Sequence, residues 1–177
     1  MKKSWFIILF LTVGLFFSSC SDKVLFTKQM QQELYMNEIN LKSVQFYNSK
    51  KIVLKRNLSL EQTKVSKGRI RLKNGQYTEE IIIKKHTPGV AVDNGKKYLD
   101  IAFEKGNRRY IKFILNPDDY FQLSAKIWEN NYGKITYDTL DYYILPGGAK
   151  ALLEVSKENI NDFEKRKRTL KGIKIEH

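Results

Sequence analysis

The sequence predicts one mainly β domain, an antiparallel β-sandwich or barrel-like fold with a short N-terminal helix in front of it. Three observations carry that expectation. From Asn40 onward apolar residues recur at every second position; in "KYLDIAFEKGNRRYIKFIL", Leu99, Ile101 and Phe103 share one face, and Ile111, Phe113 and Leu115 share another. Turn residues interrupt such runs every 8–12 residues or so, the spacing of short strands in sandwiches and barrels. Asn74-Gly75 then supplies the strongest short hairpin signal, because a type I′ turn needs positive φ at both central positions.

The elements follow in order. "KVLFTKQMQQELYM" (23–36) sets Phe26, Met30 and Leu34 four apart, one stripe of a helix that Thr27 can cap. "LKSVQFY" (41–47) and "KIVLKR" (51–56) read as strands joined through Asn48-Ser49-Lys50. The Asn74-Gly75 hairpin has arms 69–73 and 77–85, Thr87-Pro88-Gly89 breaks the chain, and Asp93-Asn94-Gly95 marks another turn. Lys105-Gly106-Asn107 and Asn116-Pro117-Asp118-Asp119 are further turns, with "YFQLSAKIWE" (120–129) after them as a strand able to bend. "GKITYDTLDYYIL" gives two short strands around Asp138-Thr139, and "AKALLEV" one more. The closing segment fits either a short helix over 159–168 or a further strand.

The N-terminus reads as an export signal. Lys2 and Lys3 precede an apolar run from Trp5 to Phe17, the length of a secretory h-region and short of the ~18 apolar residues that a bilayer span needs. The run ends at Phe17-Ser18-Ser19-Cys20, which resembles the lipobox of bacterial lipoproteins; Phe17 stands where that family prefers Leu. The resemblance implies cleavage before Cys20 and acylation of its thiol and new amino group. One acyl chain holds a protein only marginally on a bilayer, and two or more hold it stably. The expected organisation is a signal peptide at 1–19, a lipidated N-terminus with a short helix at 20–39, and one β-rich domain at 40–177. Ser21 in place of Asp after the cysteine implies the outer membrane under the sorting pattern of enteric lipoproteins. Asp22 alone beside Lys23, where surface-exported lipoproteins carry an acidic cluster, points to the periplasmic face.

Composition narrows the partners. Cys20 is the sole cysteine, so no disulfide can form and the domain must stand on its core. Loss of Lys2 and Lys3 lowers the formal charge from +13 to +11. Such an excess suits nucleic acid in a cytosolic protein, but export excludes that partner and leaves anionic head groups or acidic proteins. The densest basic run, Lys165-Arg166-Lys167-Arg168 with Lys171 and Lys174, is a candidate for partner or anionic-surface binding; it reads equally as a solvated face.

Catalytic patterns are missing from the sequence. Its two histidines are His86, beside a Thr-Pro-Gly turn, and the terminal His177, and no serine sits in a nucleophile elbow. Glu79-Glu80 point to opposite faces of a strand, Asp118-Asp119 follow Pro117 in a turn, and Asp93-Asn94-Gly95 lacks the other ligands of a calcium loop. No enzyme, metal or cofactor is expected. Trp128, Tyr132, Tyr137, Tyr142 and Tyr143 form either core or a glycan-stacking patch.

Short strings sharpen the functional expectation. "QFYNSKKIVLKR" (45–56), "FE" (103–104), "ITYD" (135–138) and "LKGIKI" (170–175) resemble small lipoproteins of Bacteroidota envelopes, among them the lipoprotein component of the type VI secretion membrane complex. The resemblance implies an outer-membrane-anchored assembly component of a trans-envelope protein complex. The alternative is a ligand-binding lipoprotein for glycan or lipid.

Overall fold

A computed structural model describes residues 22–59, 69–73 and 75–158. Its strands form two antiparallel sheets, so the mainly β, sandwich-like expectation holds. The strands are β1 (Lys23–Leu25), β2 (Gln45–Asn48), β3 (Ile52–Leu58), β4 (Arg69–Lys73), β5 (Gln76–Ile83), β6 (Pro88–Gly95), β7 (Tyr98–Ala102), β8 (Ile111–Leu115), β9 (Phe121–Leu123), β10 (Ile127–Glu129), β11 (Tyr132–Tyr137), β12 (Leu140–Ile144) and β13 (Leu153–Ser156). One sheet runs β1-β13-β2-β6-β7-β8-β9 and the other β10-β11-β12-β3-β5-β4.

The seven-stranded sheet curls until its edges meet. Thr27 bridges Tyr120, Gln122 bridges Leu152, and the Leu123 amide donates to the Ala151 carbonyl at 2.9 Å. Inside the curl Phe26 packs edge-on against Phe46, with ring centroids 5.1 Å apart, and lies 5.5 Å from Phe121. Leu99, Ile101, Ile111 and Phe113 fill the same interior, as their alternation requires. Each such side chain contributes roughly 1.5–3 kcal/mol on burial. The six-stranded sheet lays Ile52, Leu54, Ile83, Ile135 and Ile144 onto this core.

Asn48 pins the corner where the chain leaves one sheet for the other. It is fully buried; its Nδ2 donates to the carbonyls of Lys50 (2.6 Å) and Lys84 (2.8 Å), and its Oδ1 accepts from the Thr87 amide (2.9 Å). Those three bonds satisfy backbone groups that a buried turn would otherwise leave unpaired. The two arms of the hairpin read around Asn74-Gly75 do pair, β4 with β5, with Lys73 opposite Gln76 and Gly75 at φ 73°; the second arm spans Gln76–Ile83, and Asn74 itself lies outside the described residues.

Several boundaries differ from the sequence reading. The first residues after Asp22 are strand: β1 pairs with β13, and helix α1 covers only Lys28–Met36. Thr27 does cap it, Oγ1 accepting from the Met30 amide at 3.1 Å. Phe26 belongs to the barrel core because it precedes that cap. The β domain therefore begins at Lys23, not Asn40. Leu41–Ser43 form a 3₁₀ turn ahead of β2, since Asn40 Oδ1 accepts from the Lys42 amide and competes with strand pairing. Asp93-Asn94-Gly95 continue β6 beyond an irregularity between Ala91 and Asp93, and the reversal falls at Lys96-Lys97. Segment 120–129 breaks at Ser124–Lys126, sending β9 to one sheet and β10 to the other. Gly133 makes that crossing fit: a Cβ there would stand 2.7 Å from that of Ala125 and 2.8 Å from the Trp128 ring.

Candidate functional site

Cys20 and the basic residues Lys165, Arg166, Lys167, Arg168, Lys171 and Lys174 lie outside the described residues. The described chain begins at Asp22, two positions after Cys20 in sequence. Asp22 already accepts a hydrogen bond from the Lys157 amide (2.7 Å), and β1 begins at the next residue. At about 3.3–3.6 Å per extended residue, three residues from Cys20 to Lys23 span roughly 10 Å.

The aromatic set does not assemble as one patch. Register puts Trp128 opposite Gly133, and Gly133 opposite Ile144, so Trp128, Tyr137 and Tyr142 share the inner face of the six-stranded sheet. Tyr132 and Tyr143, at alternate parity, stand on the outer face and are both exposed. Tyr137 and Tyr142 are buried, their rings edge-to-face with centroids 6.3 Å apart. Each keeps its hydroxyl paired: Tyr137 donates to Glu104 Oε1 (2.9 Å) and Tyr142 to Glu79 Oε2 (2.9 Å). Burial and then the hydrogen bond to Glu79 push the Tyr142 phenol up to about 12; burial and the Glu104 carboxylate raise Tyr137 in the same direction.

The polar row on the inner face is the feature that alternation alone did not reveal. Arg56 lies directly across from Glu79, and its Nε donates to Glu79 Oε2. Glu79 is only 2% exposed, whereas its neighbour Glu80 is half-buried on the other face. The contiguous apolar core stops before this row. Beyond it the same face continues through Leu58, Tyr77 and Leu72, which pair across the strands, and through Ile70 opposite Glu79. Leu58 is covered, yet Leu72 is 63% and Ile70 38% exposed. Among the described residues, β4 pairs with β5 alone. The inner face thus overhangs the barrel and ends in an apolar lip on an edge strand.

Two grooves lie elsewhere. On the outer face, Tyr132, Tyr143, Lys55 and Asn57 line a hollow of about 210 Å³. Beside α1, Lys28, Tyr35, Met36, Lys96 and Lys97 line one of about 440 Å³, with the Tyr35 hydroxyl accepting from Asn94 Nδ2 at 2.8 Å. His86, read from sequence as a loop residue, sits with Nε2 3.2 Å from Glu154 Oε2 on β13. Among the described residues no three or more His, Cys, Asp or Glu side chains converge as a metal site, and no helix is long and apolar enough to cross a membrane.

Compared with known proteins, the chain matches no family model, no curated protein and no solved structure.

Proposed function

We propose that this protein is a lipid-anchored docking module of the outer membrane, held through acyl chains on Cys20 at the periplasmic face, that seats another envelope protein as part of a trans-envelope complex. The observation that carries the reading is the apolar lip of Ile70 and Leu72 on an edge strand. An exposed edge with apolar side chains invites strand pairing unless something covers it, and strand addition is a common way for one protein to seat another. The close junction between Cys20 and β1 supports the anchor, because it would present the domain at a fixed height over the membrane. The sequence resemblance narrows the assembly class to a type VI secretion membrane complex. The test is mild-detergent recovery of the full-length protein from its own envelope after crosslinking. A stoichiometric set of envelope proteins, lost in Leu72→Glu, is the expected result; recovery of the lipoprotein alone overturns the reading.

A second reading, a ligand-binding lipoprotein, draws on the outer-face groove. Tyr132 and Tyr143 offer exposed ring faces, with Lys55 and Asn57 at hand as hydrogen-bond donors. That chemistry suits a sugar ring.

A further inference from the structure

A third hollow opens where segment 124–126 crosses from β9 to β10. It measures about 330 Å³ and has an apolar floor of Ile111, Ala125 and Ile135. Its rim is cationic, carrying Arg108, Lys112 and Lys126, and no carboxylate lines it. Tyr110, Ser124 and Thr136 add hydroxyl groups around the same opening.

The cations differ in how they are engaged. Lys112 is turned to Asp100 (3.1 Å) and lies over the Tyr98 ring. Lys126 donates to a neutral group, Thr136 Oγ1, at 2.6 Å, and Thr136 in turn donates to Asp141 (2.8 Å). Arg108 makes no ion pair with any described carboxylate. Arg108 therefore faces the cleft without an ion pair, and Lys126 lines it within electrostatic reach of Asp141, whose own ion-pair partner is Lys134.

The loop that carries Arg108 is held in place. Arg109 grips Asp138 through Nε (2.9 Å) and Nη2 (2.6 Å), and the Asp138 amide donates to the Arg108 carbonyl at 3.1 Å. Arg108, Asp138 and Thr139 all adopt positive φ (55°, 49° and 70°), a conformation that a β-branched residue such as Thr139 rarely takes. Backbone strain maintained by a surrounding clamp is a recurring property of binding sites. The clamp thus fixes the backbone at Arg108, on the rim of the cleft that Lys126 also lines.

We infer that this cleft binds a headgroup-sized organophosphate, its phosphoryl oxygens between Arg108 and Lys126 and its carbon body on Ile111, Ala125 and Ile135. Arg suits phosphate through its planar fork and Lys through its compact charge. The hydroxyls of Tyr110 and Ser124 stand ready as further donors, and the volume is at the small end of ligand sites.

The test is isothermal titration of the full-length protein in nonionic detergent with glycerol 3-phosphate, inorganic phosphate and glycerol. Saturable one-site binding of glycerol 3-phosphate is expected, weaker binding of inorganic phosphate, and none of glycerol. R108Q/K126Q should bind glycerol 3-phosphate at least tenfold more weakly with an unchanged melting temperature, since both side chains are exposed. K42Q, which removes an exposed cation that does not line the cleft, should bind within twofold of the parent. The inference is overturned if R108Q/K126Q binds like the parent, if K42Q loses as much, or if no titration saturates. Reconstitution in phosphatidylcholine vesicles with and without phosphatidic acid then identifies the source. A tenfold loss of glycerol 3-phosphate affinity in the phosphatidic acid vesicles, beyond the loss in vesicles given the same surface charge by a fatty acid, assigns the cleft to a lipid headgroup, and equal affinity in those two assigns it to a free organophosphate; both uphold the site. Neither result depends on whether a protein docks at Leu72, so the two readings fail separately.

Discussion

Replacing Arg56 by Met should unfold this domain more readily than any exposed substitution. The Arg56 side chain is 12% exposed and that of Glu79 3%, so little water screens the pair. Met preserves much of the aliphatic stem but leaves the Glu79 carboxylate in place, still accepting from Tyr142, without the cation opposite it. Removing one partner of a buried ion pair costs about 3–5 kcal/mol. At about 2–4 °C per kcal/mol for a chain of this size, the melting temperature should fall by roughly 10 °C. Replacing both residues by Met removes the buried charges but takes the acceptor from the Tyr142 hydroxyl, so the double variant should recover part of the loss and stay about 1–3 kcal/mol below the parent. Urea unfolding followed by circular dichroism, with the m-value checked for constancy, measures all four corners of the cycle. A loss below about 1 kcal/mol for Arg56→Met, or a double variant as unstable as the two losses summed, would refute the reasoning.

Three further outcomes follow from the same chemistry. Tyr142 is raised in the folded state, so its stabilising effect is complete below the free phenol's ordinary value and disappears as pH climbs toward about 12; Tyr142→Phe should lower stability by about 1 kcal/mol at pH 7 and show a shallower alkaline decline in pH-dependent urea titrations. Asp100 is raised by burial against the opposing pull of Lys112, so its ionisation works against folding; Asp100→Asn should gain stability relative to the parent as pH rises from 3 to 7, and a relative loss over that range would count against it. Cys20→Ala should abolish metabolic labelling with a palmitate analogue and free the protein from the membrane, or leave an uncleaved precursor, with the β domain's circular dichroism unchanged; persistent labelling would sink the lipobox assignment.

What the sequence could reveal follows from how local each signal is. The arms around Asn74-Gly75 and the Thr27 cap are decided within a few residues; the arms pair and the cap forms. Leu99, Ile101, Ile111 and Phe113 were legible as core because period two admits one inward set. That same period separates Glu79 from Glu80 but does not say which of them faces inward. That choice is set by register, which puts Glu79 in the inward row with Arg56, Leu54 and Ile52 across from it and along β3, and Glu80 opposite Lys55. Trp128 and Tyr132 are neighbours in sequence, and the parity break at the Asn130-Asn131 turn, both residues at positive φ, puts them on opposite faces. The cleft of Arg108 and Lys126 draws on three separated segments brought together by the switch of sheets at Ser124–Lys126. No local spacing reports such a convergence.

The most direct test of the docking account is a photo-crosslinking residue placed at position 72 of the full-length protein in living cells, with a second at the exposed turn residue 118 as a control. The account predicts one dominant adduct to a single envelope protein from position 72 that is missing from position 118. Equal, scattered adducts from both positions, or none from position 72, would contradict it.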